Sequence, residues 1–147
     1  MTRERAIRLK KFRFLEHTAD IKFKVWGKTI EKIFENSALA LNDFLSKGQP
    51  IKDKVKKKFK IIGKGYDELL YKFIDGIIYL LDAEDFILAN AKVKIKEGKN
   101  MMELEAFVYG DKVQNYENLD HIKSATYSEM YIERIPGGWE GQAVVDV

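Results

Sequence analysis

The sequence contains no cysteine and only two prolines and two histidines in 147 residues. The lack of cysteine excludes a disulfide framework, a thiolate metal site and a cysteine nucleophile. Few prolines and no Ser/Gly-rich stretch argue against an internal linker, so we expect a single domain over residues 1–147. No apolar run approaches the roughly 20 residues of a membrane-spanning helix, and no apolar stretch follows the basic N-terminus. We therefore expect a soluble cytoplasmic protein without a secretory signal.

Charge is distributed unevenly along the chain. The net charge is only +3, but residues 1–13 carry six basic side chains against one acidic one, and residues 52–60 carry six lysines against Asp53. The remainder of the chain is therefore acidic. We expect residues 1–11 to form a basic arm attached to the domain.

Hydrophobic periodicity predicts two helices and about seven strands. The helical period runs from Ile30 to Leu45, after a predicted N-cap at Thr29, and again from Asp67 to Leu81. Alternation typical of strands occupies residues 12–26, 51–62, 91–96, 102–108, 126–135 and 139–147. Because the strands dominate and most connections have hairpin length, we predict an α+β fold. Its single two-layer domain would consist of a mostly antiparallel β-sheet with two main α-helices packed on it.

The strands at 91–96 and 102–108 have the clearest predicted pairing. A two-residue loop at Gly98-Lys99, with glycine first as in a type II′ turn, would place Val93 opposite Leu104 and Lys94 opposite Glu103. Apolar pairs would then stack on one face and opposite charges on the other.

Three residues carry hard oxygen ligands at strand ends. Asp20 lies where one predicted strand ends and the next begins, which fits a metal ligand, a general acid/base or a turn-capping residue. Asp146 lies inside the last strand, where aspartate is disfavoured, and Val147 adds its main-chain oxygens beside it. Such a cluster would repel itself unless it were protonated or bound to a cation. Two solvated carboxylates at an exposed strand end are the alternative interpretation.

The histidines and the lysine-rich strand give weaker signals. His17 and His121 each follow an acidic residue, so each could be a carboxylate-supported imidazole or a hydrogen-bonded turn residue. The lysines at 52–60 could bind a phosphate backbone, but their interleaved partners are core-facing aliphatics and Phe59 rather than the exposed aromatics of a stacking platform. The pattern therefore favours a solvated strand face or protection of a sheet edge. The sequence has no nucleophile-elbow motif, Walker-type loop, zinc-protease motif or EF-hand spacing.

Several segments together resemble the archease family over about residues 12–147. The resemblance rests on FLEHTADI at 14–21, WGKT at 26–29, FENSALAL at 34–41, LLD at 80–82, KSATY at 123–127, GW at 138–139 and VDV at 145–147. The H-T-A-D motif followed at the end of the chain by Asp-Val is much more specific than any one of these segments. Two positions depart from the family pattern: Lys22 replaces a common glycine and Ser128 a common histidine.

The resemblance implies an accessory function with no catalytic cycle of its own. Archeases activate the RtcB-type tRNA-splicing ligase by promoting its guanylylation with GTP, so that the ligase turns over repeatedly. The family binds a divalent cation, typically Ca²⁺, and its ligands carry over to Asp20, Asp146 and Val147. Glu35 and His17 carry over as functional-surface residues. His121, which follows an acidic residue, is a third candidate for this surface.

Three other functions remain open at this point. The family has also been linked to a role as a chaperone or modulator of a tRNA methyltransferase. Asp20, Asp146 and His17 could instead form a small metal-dependent phosphoesterase. Direct RNA binding through the lysines at 52–60 is the third alternative.

Overall fold

The computed structural model describes residues 11–15 and 20–147, and the strands among them form two antiparallel sheets. The helices are α1 (Ile30–Ser46) and α2 (Tyr66–Glu84). The strands are β1 (Phe12–Leu15), β2 (Asp20–Gly27), β3 (Val55–Gly63), β4 (Phe86–Glu97), β5 (Met102–Lys112), β6 (Ser124–Ala125), β7 (Tyr131–Ile135) and β8 (Gly138–Asp146). The predicted α+β class, with two helices on antiparallel sheet, is confirmed. The predicted basic arm lies almost wholly outside the described residues.

The first sheet is built around β8. One edge of β8 pairs with β2 along its whole length, from Asp20–Asp146 to Gly27–Trp139, and β1 pairs with the far side of β2. The other edge of β8 is shared by the short strand β6 and by β7. The last strand in the chain is therefore interior to the sheet, which fixes the position of Asp146.

The second sheet has the order β3-β5-β4, with β5 in the centre. Leu104, Ala106 and Val108 of β5 are completely buried on its inner face. Because side chains alternate along a strand, Phe107 and Tyr109 belong to the outer face. The lysine-rich strand β3 is an edge strand, which agrees with one of the two interpretations of its lysines.

Helix α1 connects the two sheets. Its N-cap is Thr29, as predicted, whose hydroxyl oxygen accepts a hydrogen bond from the Lys32 N–H at 3.3 Å. It packs against β2 of the first sheet and runs along the free edge of β4 in the second. There Glu35 accepts a bond from the Val93 N–H, and the Asn42 side chain donates to the Leu88 carbonyl. The helix thereby satisfies polar groups of a sheet edge.

The core lies between the two helices and the inner faces of both sheets. Phe34 of α1 and Phe73 of α2 meet edge to face at its centre, with ring centroids 5.7 Å apart. Helix α2 approaches β3 so closely that a Cβ on Gly76 would come within 2.7 Å of the Phe59 ring. These contacts fix the orientation of both sheets around one hydrophobic core.

Two sequence predictions are wrong in detail. The β4–β5 hairpin has a four-residue connection, residues 98–101, and it pairs Val93 with Ala106 and Lys94 with Glu105. The faces are as predicted, since a shift of two residues preserves them, but the partners are not. Gly98 does not adopt the positive φ that a type II′ turn requires. The C-terminal hairpin is also shorter than predicted, because residues 126–130 precede β7 as a loop.

Candidate functional site

Asp20 and Asp146 face each other directly across the β2–β8 ladder. Directly opposed residues project from the same face of a sheet, with Cβ atoms roughly 4.5–5.5 Å apart. Both side chains are partly buried. The structure therefore brings together two aspartates that are 126 positions apart in the sequence.

A third oxygen-bearing side chain extends this row across the sheet. Ser124 of β6 is the partner of Asp146 on its other side, and its hydroxyl donates to Asp146 Oδ2 at 3.2 Å. The backbone carbonyl of Asp146 accepts from the Lys123 N–H at 2.8 Å. Val147 follows immediately and is 37% exposed. We call Asp20, Asp146, Ser124 and Val147 the aspartate row.

The row has one lysine beside it on the same face. Lys22 lies two residues from Asp20 along β2, and its ammonium group pairs with Glu129 Oε1 at 3.1 Å. Glu129 belongs to the loop that precedes β7, and its backbone carbonyl accepts from the Gln142 side chain at 2.7 Å. The lysine that departs from the family pattern therefore has a carboxylate partner of its own.

The loop that leads to the aspartate row is held by a buried carboxylate. Asp111, only 3% exposed, accepts from the Lys112 N–H and the Tyr116 hydroxyl, both at 2.8 Å, and from Asn115 Nδ2 at 3.1 Å. The Lys112 N–H contributes most, and Tyr116 next, to lowering the pKa of Asp111 below its ordinary value. Burial in turn raises the pKa of Tyr116. These bonds fix the start of residues 113–123.

A cavity of about 420 Å³ lies at the same end of the first sheet. Its lining includes Ile21, which follows Asp20, together with Asp43 and Lys47 from the end of α1 and Asp120 from the loop before β6. The Asp120 N–H donates to the Leu45 carbonyl at 2.8 Å, which ties this loop to the helix. Two further carboxylates thus lie on the inner side of the same sheet end.

The predicted functional-surface residues that the structure describes are divided between two parts of the molecule. His121 is exposed and lies two residues before Lys123, so it belongs to this end of the molecule. Glu35 lies elsewhere: its carboxylate bonds to the Val93 N–H at 3.1 Å and pairs with Lys32 at 3.0 Å. That arrangement gives Glu35 a structural role at the β4 edge. His17 lies outside the described residues.

The donor set fits a hard divalent cation. Aspartate carboxylates, main-chain oxygens and a hydroxyl are the ligand types that Ca²⁺ accepts, and Ca²⁺ tolerates irregular geometry. Within residues 11–15 and 20–147, no three His, Cys, Asp or Glu side chains lie close enough together to hold a metal. A cation here would therefore need Val147 main-chain oxygens, or water, besides the two carboxylates.

Sequence reasoning missed Ser124 and Asp43 as members of this region. Ser124 belongs to the KSATY segment of the family resemblance, but nothing in its spacing marks it as a neighbour of Asp146. Asp43 faces the region because α1 ends beside β2, a tertiary relation without a local signal. Asp120, in contrast, had a signal in the sequence, its position directly before His121.

Comparison with known proteins gives a consistent result over nearly the whole chain. Residues 12–147 match the model of the Archease protein family (MTH1598/TM1083). The chain is 35% identical over 142 residues to "Protein archease" of Pyrococcus furiosus, covering 95% of this chain and 100% of that protein. It is 30% identical to "Protein archease" of Methanosarcina mazei, covering 94% of this chain and 97% of that protein.

A solved structure has the same fold. The solution structure of Methanobacterium thermoautotrophicum protein 1598 superposes with a TM-score of 0.82 at 26% sequence identity, covering 93% of this chain and 99% of that one. In the part of the chain that the structure describes, neither helix has the length and apolar character needed to cross a membrane.

Proposed function

The chain belongs to the archease family, a family of accessory proteins, and we propose that it activates an RtcB-type tRNA-splicing ligase. In this proposal it promotes guanylylation of the ligase with GTP and has no catalytic cycle of its own. The observation that supports a role for the aspartate row is the direct pairing of Asp20 with Asp146 across β2 and β8. Like charges placed opposite each other destabilise a sheet, and a cation bound between them would offset that repulsion.

We propose that Asp20, Asp146 and Val147 hold this divalent cation, with Ca²⁺ as the candidate. The ladder between β2 and β8 keeps the two carboxylates side by side, and the hydrogen bond from Ser124 orients one oxygen of Asp146. A bound divalent cation supplies positive charge that offsets the charge of phosphate oxygens. The chain's own contribution is to fix the two carboxylates on adjacent interior strands, β2 and β8.

The ligase would meet this end of the molecule. The partly buried row, the exposed His121 and the cavity beside Ile21 lie together at one end of the first sheet. Asp43 and Asp120 add two negative charges there, against one positive charge from Lys47. An acidic end carrying a cation can approach a nucleotide site in which metal and phosphate charges must be balanced.

The test measures ligase guanylylation with radiolabelled GTP in the presence of Ca²⁺. Wild type and Asp82→Asn, which alters an exposed carboxylate on α2, should stimulate equally, whereas Asp146→Asn should lose most of the stimulation. Full stimulation by Asp146→Asn would contradict the role of the row, and no stimulation by wild type would contradict ligase activation itself.

The same preparations test whether the protein is itself an enzyme. If the protein is an accessory factor, incubation with RNA or nucleotides and Mg²⁺ or Mn²⁺ in the absence of ligase gives no turnover. Turnover that disappears in Asp146→Asn would show instead that the row is a phosphoesterase site.

A further inference from the structure

The outer face of the second sheet combines lysines from two strands with aromatic rings from a third. The central strand β5 contributes Phe107 and Tyr109, and the register places Lys58 and Lys92 on either side of Phe107. The six lysines of this face are all exposed: Lys56, Lys58, Lys60, Lys92, Lys94 and Lys96. We call these lysines with Phe107 and Tyr109 the lysine–aromatic face.

Three ammonium groups converge on one ring. The Nζ atoms of Lys56, Lys94 and Lys58 lie 4.9, 5.7 and 5.9 Å from the centroid of Phe107. Lys56 also lies 5.8 Å from the centroid of Tyr109. Each cation is attracted to the ring, but the three repel one another. A polyanion bound over the ring would relieve that repulsion.

The glutamates of this face do not neutralise it. Glu103 and Glu105 lie on β5 towards the hairpin, and their ion pairs are long, 3.6 Å to Lys60 and 3.8 Å to Lys58. Exposed pairs of this kind contribute little. Six lysines against two glutamates leave an excess of positive charge, concentrated around the rings.

Protection of a sheet edge does not account for this arrangement. It explains lysines on β3, which pairs with no second strand among the described residues, but the edge of β4 is already covered by α1 through Glu35 and Asn42. The lysines of β4 nevertheless extend over the same face, and Lys94 reaches Phe107.

We propose that the lysine–aromatic face binds single-stranded RNA. Lysines that flank aromatic rings on an open sheet can contact a phosphate backbone while unpaired bases stack on the rings, and stacking requires bases that are free of a duplex. The proposal does not depend on ligase activation, because the face belongs to the other sheet and shares no residue with the aspartate row.

The first experiment measures fluorescence anisotropy with a labelled 12-nucleotide single-stranded RNA at several salt concentrations. The test variant replaces Lys56, Lys58 and Lys94 by glutamine, and the matched control replaces Lys28, Lys47 and Lys64, which are also exposed. We expect the test variant to lose at least about tenfold in affinity and its log–log salt slope to fall by roughly 2. Equal affinities of the two triple variants would overturn the proposal.

The second experiment tests stacking. Phe107→Ala should weaken RNA binding by roughly five- to a hundredfold, and Phe107→Tyr, which keeps a ring, should retain it. Circular dichroism verifies that both variants fold. Binding of an RNA duplex as tight as that of the single strand, or equal binding by Phe107→Ala, would overturn the assignment to single-stranded RNA. Competition by polyglutamate that is unaffected by Phe107→Ala would show an acidic protein partner instead and would also overturn it.

Discussion

The aspartate row and the lysine–aromatic face both hold like charges close together on a sheet, yet the two arrangements suit different ligands. At the row, two carboxylates oppose each other across one ladder, with a hydroxyl and the oxygens of Val147 beside them. On the lysine–aromatic face, the cations are spread over two strands around rings on a third. Compact oxygen ligands match a small cation, whereas dispersed ammonium groups and rings match an extended polyanion. The net charge of +3 is the sum over the whole chain and describes neither region.

A carboxylate in this protein is not by itself a sign of a binding site. Asp111 and Glu35 are also carboxylates in the acidic part of the chain, but donors from the protein satisfy them. Asp111 holds a loop and Glu35 covers a sheet edge. Asp20 and Asp146 differ from both in lying directly opposite each other at the end of the β2–β8 ladder, next to the main-chain oxygens of Val147.

Neutralising the charged side chains of each region in turn should give the largest effects and should show that the two regions act independently. Asp20→Asn is expected to weaken Ca²⁺ binding by roughly a hundredfold, because a two-carboxylate site loses half its charge, and to leave RNA affinity within about twofold. The Lys56, Lys58 and Lys94 glutamine triple should do the reverse. Calorimetric titration with Ca²⁺ and RNA anisotropy measure both. A variant that damages both activities while remaining folded would break the distinction between the regions.

Asp111→Asn should have an effect of intermediate size, and only on the stability of the folded protein. The pKa of Asp111 is lower in the folded state than in the unfolded state, so its stabilisation is present above the unfolded value and is lost as the pH falls through the folded one. We expect a melting temperature about 3–6 °C below wild type at pH 7. The difference should shrink as the pH falls below about 4. A difference that stays constant down to pH 2 would contradict the electrostatic explanation.

Lys22→Gln should have the smallest effect and should sharpen the description of the row. Its positive charge lies two residues from Asp20, so its removal is expected to tighten Ca²⁺ binding about two- to fourfold at low salt. Lys24→Gln, two residues further along β2, is the matched control and should change affinity less. Weaker Ca²⁺ binding by Lys22→Gln would mean that the Lys22–Glu129 pair supports the site through its position.

The helices and strands follow mostly from the hydrophobic periodicity of the sequence. The pairing of the strands depends on turn geometry and tertiary contacts, which that periodicity does not determine. The Thr29 cap and the buried stripes of both helices were predictable because the signals are local. The β4–β5 register was not predictable from the sequence. A glycine at position 98 is compatible with a two-residue or a four-residue connection, and a shift of two residues leaves the faces unchanged. The division of the strands into two sheets has no local signal.

The candidate sites show the same limit. Asp20 and Asp146 could be singled out from their places at strand ends, but only the β2–β8 ladder makes them neighbours. The alternating lysines of β3 were visible in the sequence, whereas the aromatic rings that suggest RNA binding lie on β5. A sequence scanned strand by strand does not show a face that is assembled from three strands.

The most direct test of the cation site is the melting temperature of wild type and Asp146→Asn, each measured in EDTA and in 1 mM Ca²⁺. At roughly 100-fold excess over the dissociation constant, binding adds about 2.7 kcal/mol, which raises the melting temperature of a domain of this size by about 5–10 °C. Wild type should show that rise and Asp146→Asn should not. In EDTA the variant should melt at or slightly above wild type, because the opposed negative charges are removed. An equal Ca²⁺-dependent rise in both proteins would contradict the assignment of the site to the Asp20–Asp146 pair.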